Sequence, residues 1–344
     1  MIGPVRISGT GIASACCAHL LARQGRDVAI EPVARPPVPA LLLSDAALGL
    51  IRDVFARPTL FANRPRIGRR VVAWGGGDAV SVPHGGVVVS EADLVAAFPA
   101  MALSSGAALP DTASPATAEP PGFTVHTGAP FPSGAPRRFG DRRAAALPVA
   151  LNHPDDRSAC WIEAVEEGWL FLIPTGADGA WLLAVGGTVE DLLAQSRHVA
   201  PRIETHDAVP AAFDSCPRML PSLHGADWLA CGTAAIAFDP ICGDGTAQAV
   251  REAILASAVI GAIGEGGDRQ ALLIHYESML IAAMRRHLAL CAQFYRSGGR
   301  GNWWQVQLDA LMEGHDWCTA RLGTMPEPGY RLQGFRLVDR EKAA

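Results

Sequence analysis

Lysine is nearly absent from this chain. Of its 29 basic residues all but Lys342 are arginine, and a guanidinium, which stays protonated, does not replace an amine where a free nitrogen nucleophile is needed. Basic runs with interleaved aromatics are also missing, and the formal net charge is −5. A nucleic-acid partner is therefore not expected. The eight cysteines form no CxxC pair and show no metal-ligand spacing with histidine. No signal peptide precedes them, so they are expected to be reduced thiols of a cytoplasmic protein, most of them small core residues. No run of roughly 18 apolar residues is present, and the apolar stretch from Ile7 is broken by Gly9, Gly11 and His19, so no membrane span is expected.

What the chain does have is apolar bulk. At 344 residues, 49% hydrophobic and 18% charged, it can bury a sizeable core, and two interlocked lobes are expected. Near the start, an apolar strand Val5 to Ser8 runs into Gly9-Thr10-Gly11-Ile12-Ala13-Ser14. A helix from Ala15 to Gln24 follows, then a stop at Gly25 and a second strand ending in Glu31. This order is that of a dinucleotide-binding unit: Gly9 permits the tight turn, Gly11 lets a pyrophosphate approach, and small Ser14 lets helix and strand pack closely. Glu31 stands about 20 residues on, where an acid would hold a ribose hydroxyl.

The second informative stretch is 231–255, CGTAAIAFDPICGDGTAQAVREAIL. A short apolar strand passes through Asp239-Pro240 and the glycines Gly243 and Gly245 into a helix beginning at Thr246. Pro240 stiffens the turn, and the glycines let backbone N–H groups approach an anion or an electron-rich ring edge at the helix start. The same pattern also serves as an ordinary connection.

Elsewhere the patterning predicts an amphipathic helix over 41–55 capped by Ser44-Asp45, strands over 70–74, 79–83 and 87–89, and a helix from Ser90 to Phe98. Residues 103–121, rich in Ala, Ser, Thr and Pro, read as a long surface excursion. Strands follow at 123–126, 143–151, 159–165, 168–174 and 181–186, which suggests an antiparallel sheet inserted after the βαβ unit. Helices are expected at 189–198, 246–263, 268–295 and 303–312, with 207–215 irregular. The expected division is 1–60, 84–150 and 216–264 as a discontinuous nucleotide-binding domain, 61–83 and 151–215 as a substrate-lobe sheet, and 265–344 as a helical C-terminal region.

The N-terminal glycine unit ending in Glu31, the mid-chain sheet and the late DPxxGxG motif together resemble p-hydroxybenzoate hydroxylase-like flavin monooxygenases and flavin-dependent halogenases. The resemblance covers nearly the whole chain. It implies an α/β, glutathione reductase-like FAD-binding fold: a Rossmann-type βαβ with parallel sheet, an inserted antiparallel sheet and C-terminal helices. It also implies FAD contacts from Gly9, Gly11, Ala13, Ser14, Glu31 and Arg35, and from Gly232, Thr233, Asp239, Pro240, Gly243, Asp244, Gly245 and Thr246 around the flavin. RRVVAWGGG (69–77), GTAAIAFDPICGDG (232–245) and CAQFYRSGGRGNWW (291–304) look most similar to small flavoproteins that mature protein-derived tryptophylquinone cofactors, of the glycine oxidase maturase type. That likeness implies oxygen insertion into a tryptophan of a quinone-cofactor enzyme subunit, through a flavin C4a-hydroperoxide.

Three departures qualify the likeness. The family's Asp after Gly232 is Thr233, which offers the ribityl chain at best a hydroxyl. The Asp-Gly motif tied to direct NAD(P)H use is not recognisable, which leaves room for a separate flavin reductase. Trp169-Leu170-Phe171-Leu172-Ile173-Pro174 resembles the halogenase WxWxIP motif with Phe171 for its second Trp. Halogenases also use a lysine amine to handle hypohalous acid, and the only lysine here is Lys342. Halogenation is therefore disfavoured.

Since the cofactor would carry the oxygen, few catalytic side chains are required. His84 is a candidate proton relay or a structural histidine. Asp244 is a candidate flavin or substrate contact, or an N-cap. Trp74, Trp169 and Phe171 line a substrate pocket or belong to the core. Trp303 and Trp304 form a docking patch or pack a helix, while His275 and His287 read as packing or surface residues. A small-molecule flavin oxidase or dehydrogenase and a non-catalytic flavoprotein assembly factor remain as alternatives.

Overall fold

The computed structural model describes residues 3–94, 96–97, 122–205 and 208–340. The chain opens as expected, with β1 (Val5–Ser8), α1 (Ile12–Arg23) and β2 (Val28–Glu31), followed by β3 (Leu41–Ser44), α2 (Asp45–Phe55), β4 (Arg66–Ala73) and β5 (Val80–Val89). Next come β6 (Phe123–His126), β7 (Arg137–Arg138), β8 (Arg143–Leu151), β9 (Ala159–Val165), β10 (Gly168–Gly176) and β11 (Gly179–Gly186). After a short helix Val189–Gln195 the chain forms β12 (Ile203–Thr205), β13 (Ala211–Asp214), β14 (Arg218–Met219), β15 (Trp228–Ala230) and β16 (Ile236–Ala237). Three helices then lead to a terminal hairpin: the cradle helix Gly245–Gly264, the long helix Arg269–Gly298 and the last helix Asn302–Gly323.

Two sheets organise these elements. The first has four strands in the order β15-β6-β1-β2, and every neighbouring pair is parallel. Val5, Ile7, Phe123 and Val125 are all fully buried in it, as a parallel sheet covered on both faces requires. The cradle helix packs against α1 and α2 beside this sheet. By length and composition the cradle helix would suffice to cross a membrane, yet 67% of its apolar window is buried within this fold. Its apolar surface therefore has a partner in the core.

The second sheet has nine strands, in the order β12-β8-β11-β10-β9-β4-β5-β3 with β13 also on β8. It is mixed rather than antiparallel, because β4 and β9 run parallel while the other pairs are antiparallel. β3, β5 and β8 all belong to it, so parts of 1–60 and 84–150 sit in the larger sheet and not with the four parallel strands.

Several boundaries differ from the sequence expectation, each for a local reason. Leu41–Ser44 is a strand, since this unbroken apolar run has no helical polar phase and pairs with β5 at Val87–Val89; Ser44 then caps α2 by accepting from the Ala47 N–H at 3.2 Å. β5 runs on through Pro83-His84-Gly85-Gly86 as one strand. Residues 211–214, expected to be irregular, pair with β8. The last helix continues past Met312 through Gly314, where a Cβ would stand only 2.6 Å from the Phe139 ring, so that glycine serves close packing rather than a helix stop. The expected helix end at Phe98, the excursion at 103–121 and Lys342 lie outside the described residues.

Candidate functional site

The first part of the site is the β1–α1 turn. Gly9 and Gly11 have φ of 129° and 95°, where a side chain is strained, and a Cβ on Gly9 would collide with the Thr127 hydroxyl. Helix α1 has neither a capping side chain nor an acid in its first turn, so its leading N–H groups are available to an anion. Ser14 is buried and its hydroxyl lies 2.6 Å from that of Thr127. Arg35 stands over this turn: a Cβ on Gly11 would lie 3.1 Å from its guanidinium and 3.0 Å from Glu91. Arg35 donates to Glu91 at 2.9 Å, and Glu91 also accepts from the Val38 N–H at 2.8 Å. Glu31 ends β2, exposed, with Arg6 3.3 Å away.

The late motif meets this turn directly. Gly232 has φ 60°, and a Cβ there would stand 2.7 Å from that of Ala13; only glycine allows the two segments, some 220 positions apart, to touch. Its N–H donates to the buried Glu252 carboxylate at 2.8 Å, and burial pushes that carboxyl well above its usual range. Thr233 donates to the Thr127 carbonyl at 3.2 Å. The chain then reaches Asp239, whose carboxylate is wholly enclosed by protein. It receives Arg142 at 3.0 Å, the Tyr295 hydroxyl at 2.9 Å and the Ile241 N–H at 3.0 Å. Asp239 thus holds the turn from behind.

Beyond Pro240, Gly243 adopts the left-handed conformation (φ 63°) and Gly245 opens the cradle helix. Asp244 precedes that helix without capping it; its carboxylate pairs with Arg251 at 2.7 Å. The helix start therefore also keeps its first N–H groups free of side-chain acceptors. In front of it lies a cavity of about 550 Å³, lined among others by Ser44, Arg70, His84, Phe238, Cys242, Gly243, Asp244, Gln248, Arg286, His287 and Leu290. Burial and the nearby Arg70 hold the His84 imidazole below its ordinary pKa, so it is neutral at pH 7.

Cys242 and His287 stand in one wall of the cavity with the buried Cys291 behind them, and the ligand atoms of the three lie within 4.8 Å of one another. The thiols are 3.5 Å apart, and Cys291 is 3.3 Å from His287 Nε2. That nitrogen already accepts the Asp239 N–H at 2.8 Å, and the ring stacks on Phe238 with centroids 3.9 Å apart. His287 thus fastens the DP turn to the long helix, and its lone pair is not free for a metal.

Of the residues singled out in the sequence, His84, Gly243 and Asp244 converge on the cavity, whereas Trp74, Trp169 and Phe171 form no part of its walls. Trp169 is fully buried and donates to the Tyr295 hydroxyl at 3.2 Å, and Phe171 is buried in the same core. Trp74 is half-buried and donates to the Phe294 carbonyl at 3.0 Å. Trp304 is buried and donates to the Val165 carbonyl, which leaves Trp303 alone partly exposed of the pair. His275, too, is buried. Sequence reasoning missed Arg70, Glu91, Arg142, Glu252 and Tyr295. Arg70 had a usable signal: strand alternation puts it on one face with Val82, its cross-strand partner, and with His84.

No protein-family model matches the chain, and no curated protein matches it in sequence. Solved structures do match. A peptidyl tryptophan dihydroxylase, QhpG, described as essential for tryptophylquinone cofactor biogenesis, superposes with TM-score 0.72 at 19% identity over 89% of this chain and 79% of its own. The flavin-dependent halogenase CmlS gives TM-score 0.79 at 17% identity over 94% and 71%. The myxobacterial chondrochloren halogenase CndH, an FAD-dependent halogenase, gives 0.74 at 15% over 98% and 94%. At these identities the likeness is one of fold, and it extends over nearly the whole chain.

Proposed function

We propose that the chain is an FAD-dependent monooxygenase of glutathione reductase-like fold, and that it hydroxylates an aromatic substrate, a tryptophan side chain of a partner protein. The observation that carries this reading is the close approach of Gly232 to Ala13, which brings the late motif against the β1–α1 turn within a fold shared with flavoenzymes, where neither helix has a side-chain cap or an acid in its own first turn. FAD fits both ends, since each offers backbone N–H groups at glycines with positive φ.

In this reading the α1 start and Arg35 hold the pyrophosphate, Glu31 the ribose, and the N–H groups from Gly243 to Thr246 the electron-rich edge of the ring. Asp239, tied to Arg142 and Tyr295, keeps the turn rigid beneath the ring. When bound and reduced, FAD would supply the activated oxygen, one atom of O₂ entering the substrate and the other leaving as water with two electrons and two protons. Neutral His84, its Nε2 facing Arg70 at 3.4 Å, takes or returns a proton at the substrate in this reading. On the same reading a separate flavin reductase supplies the electrons, since the Asp-Gly motif tied to direct NAD(P)H use is not recognisable in the sequence. A halogenase reading lacks its amine, because Lys342 is the only lysine.

A protein substrate is favoured by exposed apolar residues beside the cavity. Leu290 lines it, Phe294 lies one helical turn further along the same helix, and Val82 is the cross-strand partner of Arg70. The test is mass spectrometry of partner proteins captured from the native host and incubated with FAD-loaded, reductase-supplied protein in O₂. Added oxygen on a tryptophan is expected; turnover of O₂ to peroxide with no oxygenated partner would contradict the reading.

A further inference from the structure

Among the described residues, no carboxylate stands within ion-pair distance of Arg70, which lines the cavity. Arg70 lies in β4, half-buried, and its Nε is shielded from solvent without a hydrogen-bond partner. Its Nη2 stands 3.4 Å from His84 Nε2 and 3.7 Å from where a Cβ on Gly243 would be, so the guanidinium reaches across to the cradle turn. The thiol of Cys160 is a further neighbour. The nearby carboxylates are already taken: Asp244 pairs with Arg251 at 2.7 Å and Asp45 with Arg66 at 2.9 Å. Arg286, exposed on the long helix, adds a second positive charge to the same cavity. A half-buried guanidinium without a carboxylate partner, its Nη2 turned toward the cradle turn, beside a neutral imidazole and a second arginine, suits a carboxylate.

We propose that Arg70, assisted by Arg286, is an anion-recognition subsite that takes a carboxylate of the substrate. This rests on the reading of the cavity as the substrate site and adds its chemical class: the ring to be modified comes with an acid. The acid is either a residue flanking the tryptophan in a peptide or the carboxylate of a free aromatic acid. Arg70 holds it in a bidentate grip, and Arg286 raises its local concentration. No bond is made or broken at this subsite.

The test is a set of binding titrations on FAD-loaded protein. Two matched pairs serve as probes: indole-3-acetate against indole-3-acetamide, and acetyl-Asp-Trp-amide against acetyl-Asn-Trp-amide. The carboxylate member of at least one pair is expected to bind about tenfold or more tighter than its neutral isostere, and the pair that discriminates identifies the source of the acid. Arg70→Met is expected to abolish the discrimination and Arg70→Lys to retain part of it, with the circular dichroism spectrum and bound flavin unchanged in both. Equal affinity within both pairs, or discrimination that survives Arg70→Met, would overturn the subsite. Flavin absorbance in the same samples reports the larger reading separately. If wild-type protein takes up no flavin, the cofactor assignment fails, and the titrations on flavin-free protein still decide for or against Arg70.

Discussion

His287 makes the stability of the cradle depend on pH in a way that can be isolated. Its ring is buried, its Nε2 accepts the Asp239 N–H at 2.8 Å, and Arg142 lies nearby. Protonation would break that bond and add a cation beside a cation, so burial first and Arg142 second bring the pKa from 6.5 down to about 3. Unfolded chains bind this proton below about pH 6.5 and the folded protein does not. The stabilisation is therefore complete above pH 6.5 and is lost as pH falls toward 3. At about 1.4 kcal/mol per pH unit the loss is about 2 kcal/mol by pH 5. Urea denaturation at pH 7 and pH 5 measures it, with His287→Gln as the reference, since glutamine keeps an acceptor for the Asp239 N–H but does not titrate. Wild type is expected to lose about 2 kcal/mol more than the variant between these pH values; the difference cancels His19, His84, His126 and His275, whose pKa values burial also lowers. Coincident pH slopes for the two proteins would show that His287 does not fasten the turn as described.

Two further outcomes concern the same turn. Asp239→Ala leaves Arg142 buried and unpaired and is expected to cost about 3–5 kcal/mol of stability by chemical denaturation, while Arg142→Met with Asp239→Leu recovers much of it; a loss under about 1 kcal/mol for the single variant would refute the buried network. Cys242 is the one cysteine of the eight that is not buried. A thiol-reactive disulfide reagent should therefore modify one thiol rapidly in native protein, Cys242→Ser should remove that phase, and FAD should slow it; several equally fast thiols would contradict the packing.

The parts of this molecule that were legible in the sequence are those fixed by short-range backbone demands. Gly9, Gly11 and Gly243 announce themselves because few other residues adopt the positive φ of those turns, and α1, β1 and β2 follow from apolar periodicity over short spans. Leu41–Ser44 was not legible, because a run of leucines lacks a phase and only its pairing with β5 makes it a strand. The split of the larger sheet was equally hidden, since β8 is held by β11, β12 and β13 from later in the chain. The buried polar network was illegible for the same reason. Arg142, Asp239 and Tyr295 are far apart in sequence, and nothing local says that an arginine next to another will be enclosed while its neighbour Arg143 stays exposed. Of the two readings open for Trp169, pocket or core, the structure has the core one, with its N–H committed to Tyr295.

The central claim is that the β1–α1 turn and the turn at Gly243 form one flavin cradle. A titration of flavin-free protein with FAD, followed by flavin fluorescence and by calorimetry, tests it most directly, with Gly232→Val as the control because its side chain would push Ala13 and the late motif apart. Saturable binding of one FAD per chain, abolished in a Gly232→Val protein that retains its helical content, is the predicted result. Folded wild-type protein that shows no saturable FAD binding would contradict the claim.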